Sequence, residues 1–90
     1  MVAVVVISLG LFFDVTLHEW LWLSLAIALV FISEIFNTAI ERTIDLATSE
    51  KHPLAKHAKD LGAAATLVAA IFAISVGLIV FIPHLVDKFC

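Results

Sequence analysis

A chain of 90 residues would ordinarily be one small soluble domain, but 63% of these residues are hydrophobic and only 14% charged. A soluble domain this short leaves much of its chain in water, so a mean hydropathy of +1.17 excludes that class and calls for a bilayer as solvent. The net charge of −3 decides little, and the single cysteine, Cys90, excludes an internal disulfide or a cysteine metal site.

The first apolar segment, residues 1–13, carries no charge. As a helix it rises only about 20 Å, against roughly 30 Å of hydrocarbon. It lacks the basic start and cleavage site of a signal peptide, so it is expected to be the distal part of a transmembrane helix that begins upstream. An acidic connection, 14–19, follows. Residues 20–40 are long enough to cross, with Trp20 and Trp22 as interfacial anchors at one end and Glu34 and Asn37 in the far half. Residues 61–82 hold no charge at all and form the cleanest span, which Pro83 is expected to end.

Between the second and third spans lie Arg42, Lys51, Lys56 and Lys59, four of the five basic residues. The positive-inside rule puts this connection in the cytoplasm, with the N-terminus cytoplasmic and Cys90 external. His52-Pro53 should break the helix leaving span two, and residues 54–59 should start the next. Ala65, Ala69, Ala73 and Gly77 recur at intervals of four, a ridge that lets helices approach closely in lipid. The expected fold is an all-α membrane bundle, one unit over 1–90, whose buried carboxylates call for a homo-oligomer.

Glu34, Asn37, Glu41 and Asp45 are spaced by three, four and four, which places them within an arc of about 80° on one helix face. A polar stripe thus runs from membrane depth to the cytoplasmic surface. An ionisable group at depth costs at least ~2.5 kcal/mol, and such groups usually serve a site. The stripe suits phosphoryl transfer from a nucleotide: Glu41, near the surface, for Mg²⁺, and the deeper Glu34 for a lipid-borne hydroxyl. Lys51, His52, Lys56, His57 and Lys59 are cations for a polyphosphate, although a solvated positive-inside loop would account for the lysines equally. A competing function for Glu34 is proton or cation translocation in a small membrane ring, and a third is a purely structural subunit.

The run Glu34-Ile35-Phe36-Asn37-Thr38-Ala39-Ile40-Glu41, then Asp45 and Ala58-Lys59-Asp60, closely resembles the signature of the prokaryotic diacylglycerol kinases. His52-Pro53-Leu54-Ala55-Lys56 and Gly77-Leu78-Ile79-Val80-Phe81-Ile82-Pro83 look more like the Gram-positive undecaprenol kinase branch of that family. The resemblance covers nearly the whole chain. It implies three transmembrane helices per chain, a homotrimer with shared active sites in the bacterial plasma membrane, and transfer of the ATP γ-phosphate to undecaprenol or diacylglycerol. Glu34 then matches the catalytic base, in contact with the lipid substrate, and Glu41 the Mg²⁺ ligand. Asn37 and Asp45 match supporting polar residues, and Glu41, Glu50, Lys51, His52, Lys59 and Asp60 nucleotide contacts. Family members open with an amphipathic surface helix and an early acidic residue, whereas this sequence opens inside its first span. A chain without those parts is expected to show little activity.

Overall fold

The computed structural model describes residues 2–90, and these form three helices: α1 (Val2–Phe13), α2 (Leu17–Ala47) and α3 (Pro53–Phe89). α2 and α3 run back along one another. Glu19 near the start of α2 meets His84 near the end of α3, and Asp45 near the end of α2 meets Lys59 near the start of α3. With α1 against one end of the pair, the three helices make a rod of 56 × 19 × 17 Å.

The pattern of apolar and small residues explains the pairing. The sheltered positions of α2 include Leu23, Ala26, Val30, Ser33, Asn37, Ile40 and Ile44; those of α3 include Gly62, Thr66, Ala69, Ala73, Val76 and Val80. Both series alternate steps of three and four, the mean period of 3.5 that keeps one stripe facing a partner along a supercoiled seam. Small residues at many of these positions bring the backbones close. The ridge expected at intervals of four is used only in part. Ala69 and Ala73 lie in the seam, but Ala65 is exposed and a Cβ on Gly77 would meet nothing within 4 Å. A strict four-residue repeat drifts around the helix, so it cannot follow a 3.5-residue seam over three turns.

The corner between α1 and α2 is built from two opposed caps. Asp14 takes a left-handed conformation (φ 58°), which Asp tolerates better than most residues, and Val15 N–H donates to Gly10 O at 3.2 Å. That closes α1. Thr16 then caps α2: its hydroxyl accepts from Glu19 N–H (3.1 Å), while Glu19 Oε1 accepts from Thr16 N–H (2.9 Å). Buried Val15 and the flanking Trp20 join the apolar cluster of Leu23, Val76 and Val80, which ties the corner to both long helices.

Two expected boundaries are corrected. α2 stops at Ala47, before His52-Pro53, because extended Thr48 turns the chain while donating its N–H to Ile44 O (2.9 Å). Pro53 is instead the first residue of α3, where a missing N–H costs nothing, and His52 is its cap. Pro83 does not end α3, which runs on to Phe89. The proline forfeits one backbone bond, but tertiary contacts hold the turns beyond it. His84 Nε2 lies 3.0 and 3.1 Å from the two Glu19 oxygens, and the Lys88 ammonium sits 4.1 Å above the Phe12 ring.

α2 and α3 are both long and apolar enough to cross a membrane; α1, at 12 residues, is shorter. Large apolar side chains cover their outer faces, with Ile35 66% and Ile79 74% exposed.

Candidate active site at the α2–α3 turn

The connection between α2 and α3 opens a cleft of about 880 Å³. Asp45 and Thr48 line it from α2, Glu50, Lys51 and His52 from the connection, and Lys56, Lys59 and Asp60 from α3, among others. Local chemistry sets its shape. Thr48 Oγ1 accepts from Glu50 N–H (3.1 Å), curling the connection, and His52 Nδ1 accepts from Leu54 N–H (3.1 Å), capping α3. His52 is thereby committed through one ring nitrogen to holding the helix start.

Two ion pairs order the cations. Lys59 Nζ meets Asp45 Oδ1 at 2.7 Å, across the hairpin, and Lys56 Nζ meets Asp60 Oδ2 at 2.8 Å, one turn along α3. Bonding to Asp45, aided by the charges of Asp45 and Glu41, raises the Lys59 ammonium above the usual lysine range. Asp60 does the same for Lys56. Both pairs are exposed, so they orient their lysines without tying them down. Lys51 makes no ion pair among the described residues and stands open at the connection.

Seven of the eleven residues singled out from sequence therefore line one cleft: Asp45, Glu50, Lys51, His52, Lys56, Lys59 and Asp60, while His57 is not in its wall. Glu41 lies one turn back from Asp45 on the same face, exposed and close enough to Lys59 to act on its charge. Glu34 is apart. It lies about two further turns along α2, exposed in a shallower groove of about 350 Å³ with Phe31, Ile35 and Thr38. Asn37, between them, turns inward toward α3, its Oδ1 buried with no hydrogen-bond partner. Sequence reasoning missed Thr48 and Ser49 in the cleft wall and Gly62 opposite Asn37. A glycine inside a helical pattern is a signal of close approach, and Gly62 is that case.

No three His, Cys, Asp or Glu side chains stand together in a metal-holding group among the described residues. Asp45 is engaged by Lys59 and Asp60 by Lys56, which leaves Glu41 as the carboxylate of the stripe nearest the cleft without an ion pair among the described residues.

The model of the prokaryotic diacylglycerol kinase family matches residues 1–81. An undecaprenol kinase of Bacillus subtilis is 42% identical over 83 residues, covering 92% of this chain. Diacylglycerol kinases of Pseudomonas aeruginosa and Synechocystis are 42% and 46% identical over 66 residues, covering 73% and 72% of it. The chain spans 68% of the Bacillus protein's length, but only 54% and 38% of the other two. The family match takes in the whole of α2 and α3 as far as Phe81, and so the whole cleft, and the chain belongs to the prokaryotic diacylglycerol kinase family.

Proposed function

We propose that this chain is the catalytic part of a membrane lipid kinase, transferring the γ-phosphate of ATP to undecaprenol or diacylglycerol. The observation that carries the proposal is the separation of two environments along one face of α2. A cleft rich in cations opens at the turn, and a carboxylate, Glu34, lies further along among Phe31 and Ile35. A water-soluble polyphosphate suits the first environment and a lipid hydroxyl the second.

Lys51 and Lys59 bind the phosphates, with Asp45 steering Lys59 and Asp60 steering Lys56. Glu50 and His52 hold the connection against the nucleotide. Glu34 accepts the proton of the lipid hydroxyl as it attacks, and the apolar groove around it keeps water from competing. Glu41 and the phosphates together fit Mg²⁺, a metal that uses one or two carboxylates plus substrate oxygens, whereas a resident all-protein metal site has too few donors here. The metal, when bound, neutralises charge on the phosphate oxygens.

The cationic turn belongs in the bacterial cytoplasm, with α2 and α3 crossing the plasma membrane and α1 forming the distal part of a third span. Exposed Glu34 and the uncovered apolar faces of both long helices suit a trimer whose neighbouring chains enclose the site. The proposal is tested by following labelled γ-phosphate into lipid with the full-length protein in mixed micelles. Transfer to either alcohol, lost in Glu34→Gln, supports it; nucleotide binding without lipid phosphorylation counts against it.

A further inference from the structure

We infer that Gly62 is a positioning residue: by having no side chain it fixes the carboxamide of Asn37 with its oxygen inward, so that both N–H donors face the stripe between Glu34 and Glu41. A Cβ on Gly62 would come 2.4 Å from Asn37 Oδ1 and 3.4 Å from Asn37 Cγ, so no other residue fits without displacing the carboxamide. Gly62 is buried, and Ile40 closes the other side, its Cδ1 3.5 Å from the same point.

Burial without a partner normally costs an amide oxygen about 1–3 kcal/mol. Asn37 Oδ1 is buried and has no conventional donor. It faces the side of Gly62 from which a Cβ would project, where the Cα–H in that position is a weak donor of the kind common where helices touch closely. With the oxygen inward, the Nδ2 group points the other way. It makes no hydrogen bond among the described residues, and Glu34 and Glu41, three residues before and four after Asn37 on α2, are the carboxylates its two N–H donors would meet. Reversing the amide would put those donors against Cα–H groups and expose the oxygen to two carboxylates, a worse arrangement on both sides. Gly62 also precedes Thr66 by one turn, and the Thr66 hydroxyl donates to its carbonyl at 3.3 Å, holding α3 regular where Asn37 enters.

Asn37 thus meets an oxygen of the reacting groups as a donor, and Gly62 acts on the reaction only through Asn37. The kinetic arm of the test rests on the lipid kinase reading, and the spectroscopic arm does not. Asn37 is the sole asparagine of this sequence, which has no glutamine, so ¹⁵N-asparagine labelling of the full-length protein reports its side chain, assigned by the signal that Asn37→Asp removes. In the unmodified protein the side-chain N–H protons should show at most a weak cross-peak to the Gly62 α-protons. A strong one means the amide is reversed and overturns the inference. Gly62→Ala should move both N–H signals, and unchanged signals likewise overturn it. For activity, Gly62→Ala and Asn37→Ala should each lower kcat by about 10-fold or more, with the KM for ATP little changed. The double variant should be no worse than Asn37→Ala alone. Losses that multiply would show Gly62 acting by general packing and sink the positioning role. Should Gly62→Ala fail to fold, the cross-peak in the unmodified protein still decides the orientation. A parent inactive on lipid would defeat the kinase reading while leaving the spectroscopic result intact.

Discussion

Replacing Gly10 by alanine should loosen α1 from the long helices. A Cβ there would stand 2.4 Å from Trp20 Cη2 and 2.9 Å from Cζ2 and Cζ3, where ordinary contact begins at 3.4 Å. The ring must therefore retreat by about 1 Å, and an indole cannot bend aside as a flexible side chain would. Trp20 packs against the Val15, Leu23, Val76 and Val80 cluster, so moving it disturbs the corner as well as α1. Overpacking of this kind costs about 1–3 kcal/mol, and alanine returns about 0.5–1 kcal/mol in helix propensity, leaving a net loss of up to about 2.5 kcal/mol. The assay is unfolding in mixed micelles by SDS titration, read by fluorescence in a Trp22→Phe background that leaves Trp20 as the reporter. Gly10→Ala should shift the midpoint to lower SDS and change the emission of the folded state. Stability equal to or above the parent, with unaltered emission, would refute the close approach of Trp20.

Glu34→Gln should lower turnover by about 100-fold or more while MgATP binding survives, whereas Glu41→Gln should alter the magnesium dependence itself; identical magnesium responses would contradict the division of roles. Lys51→Ala and Lys59→Ala should raise the KM for ATP more than that for lipid, and equal effects on both would indicate a folding defect. Glu19, which lies outside the apolar spans 20–40 and 61–82, has its carboxyl held below the usual range, first by the Thr16 backbone N–H and then by His84. A depressed carboxyl stabilises the fold above its unfolded pKa of about 4.3, and that contribution fades as pH falls through the lower folded value. Glu19→Gln should therefore cost stability near neutral pH and flatten the acid limb of a stability–pH curve; superimposable acid limbs would contradict this.

Much of the architecture was legible because helical signals are local. The three apolar segments became three helices, and the stripe from Glu34 to Asp45 lies on α2 as its spacing required. The turn residues converge because the hairpin is short, and that convergence could be anticipated from their clustering. Features set by tertiary contact were not legible. Pro83 reads as a stop, yet Glu19, 65 positions earlier, holds His84 just beyond it. The four-residue ridge of alanines looked like the packing face, while the true seam mixes Gly62, Thr66, Ala69, Ala73, Val76 and Val80 on a shorter period. Asn37 seemed one member of an outward stripe. Its inward turn depends on Gly62, twenty-five positions away, and no local pattern announces that pair.

The most direct test of the central claim is transfer of labelled γ-phosphate from ATP to undecaprenol and to diacylglycerol by the full-length protein, beside Glu34→Gln, in mixed micelles containing Mg²⁺. The account predicts labelled lipid phosphate from the parent with at least one alcohol, and a loss of about 100-fold in the variant. Absence of labelled lipid from a folded, ATP-binding parent would contradict it, and so would transfer that proceeds undiminished without the Glu34 carboxylate.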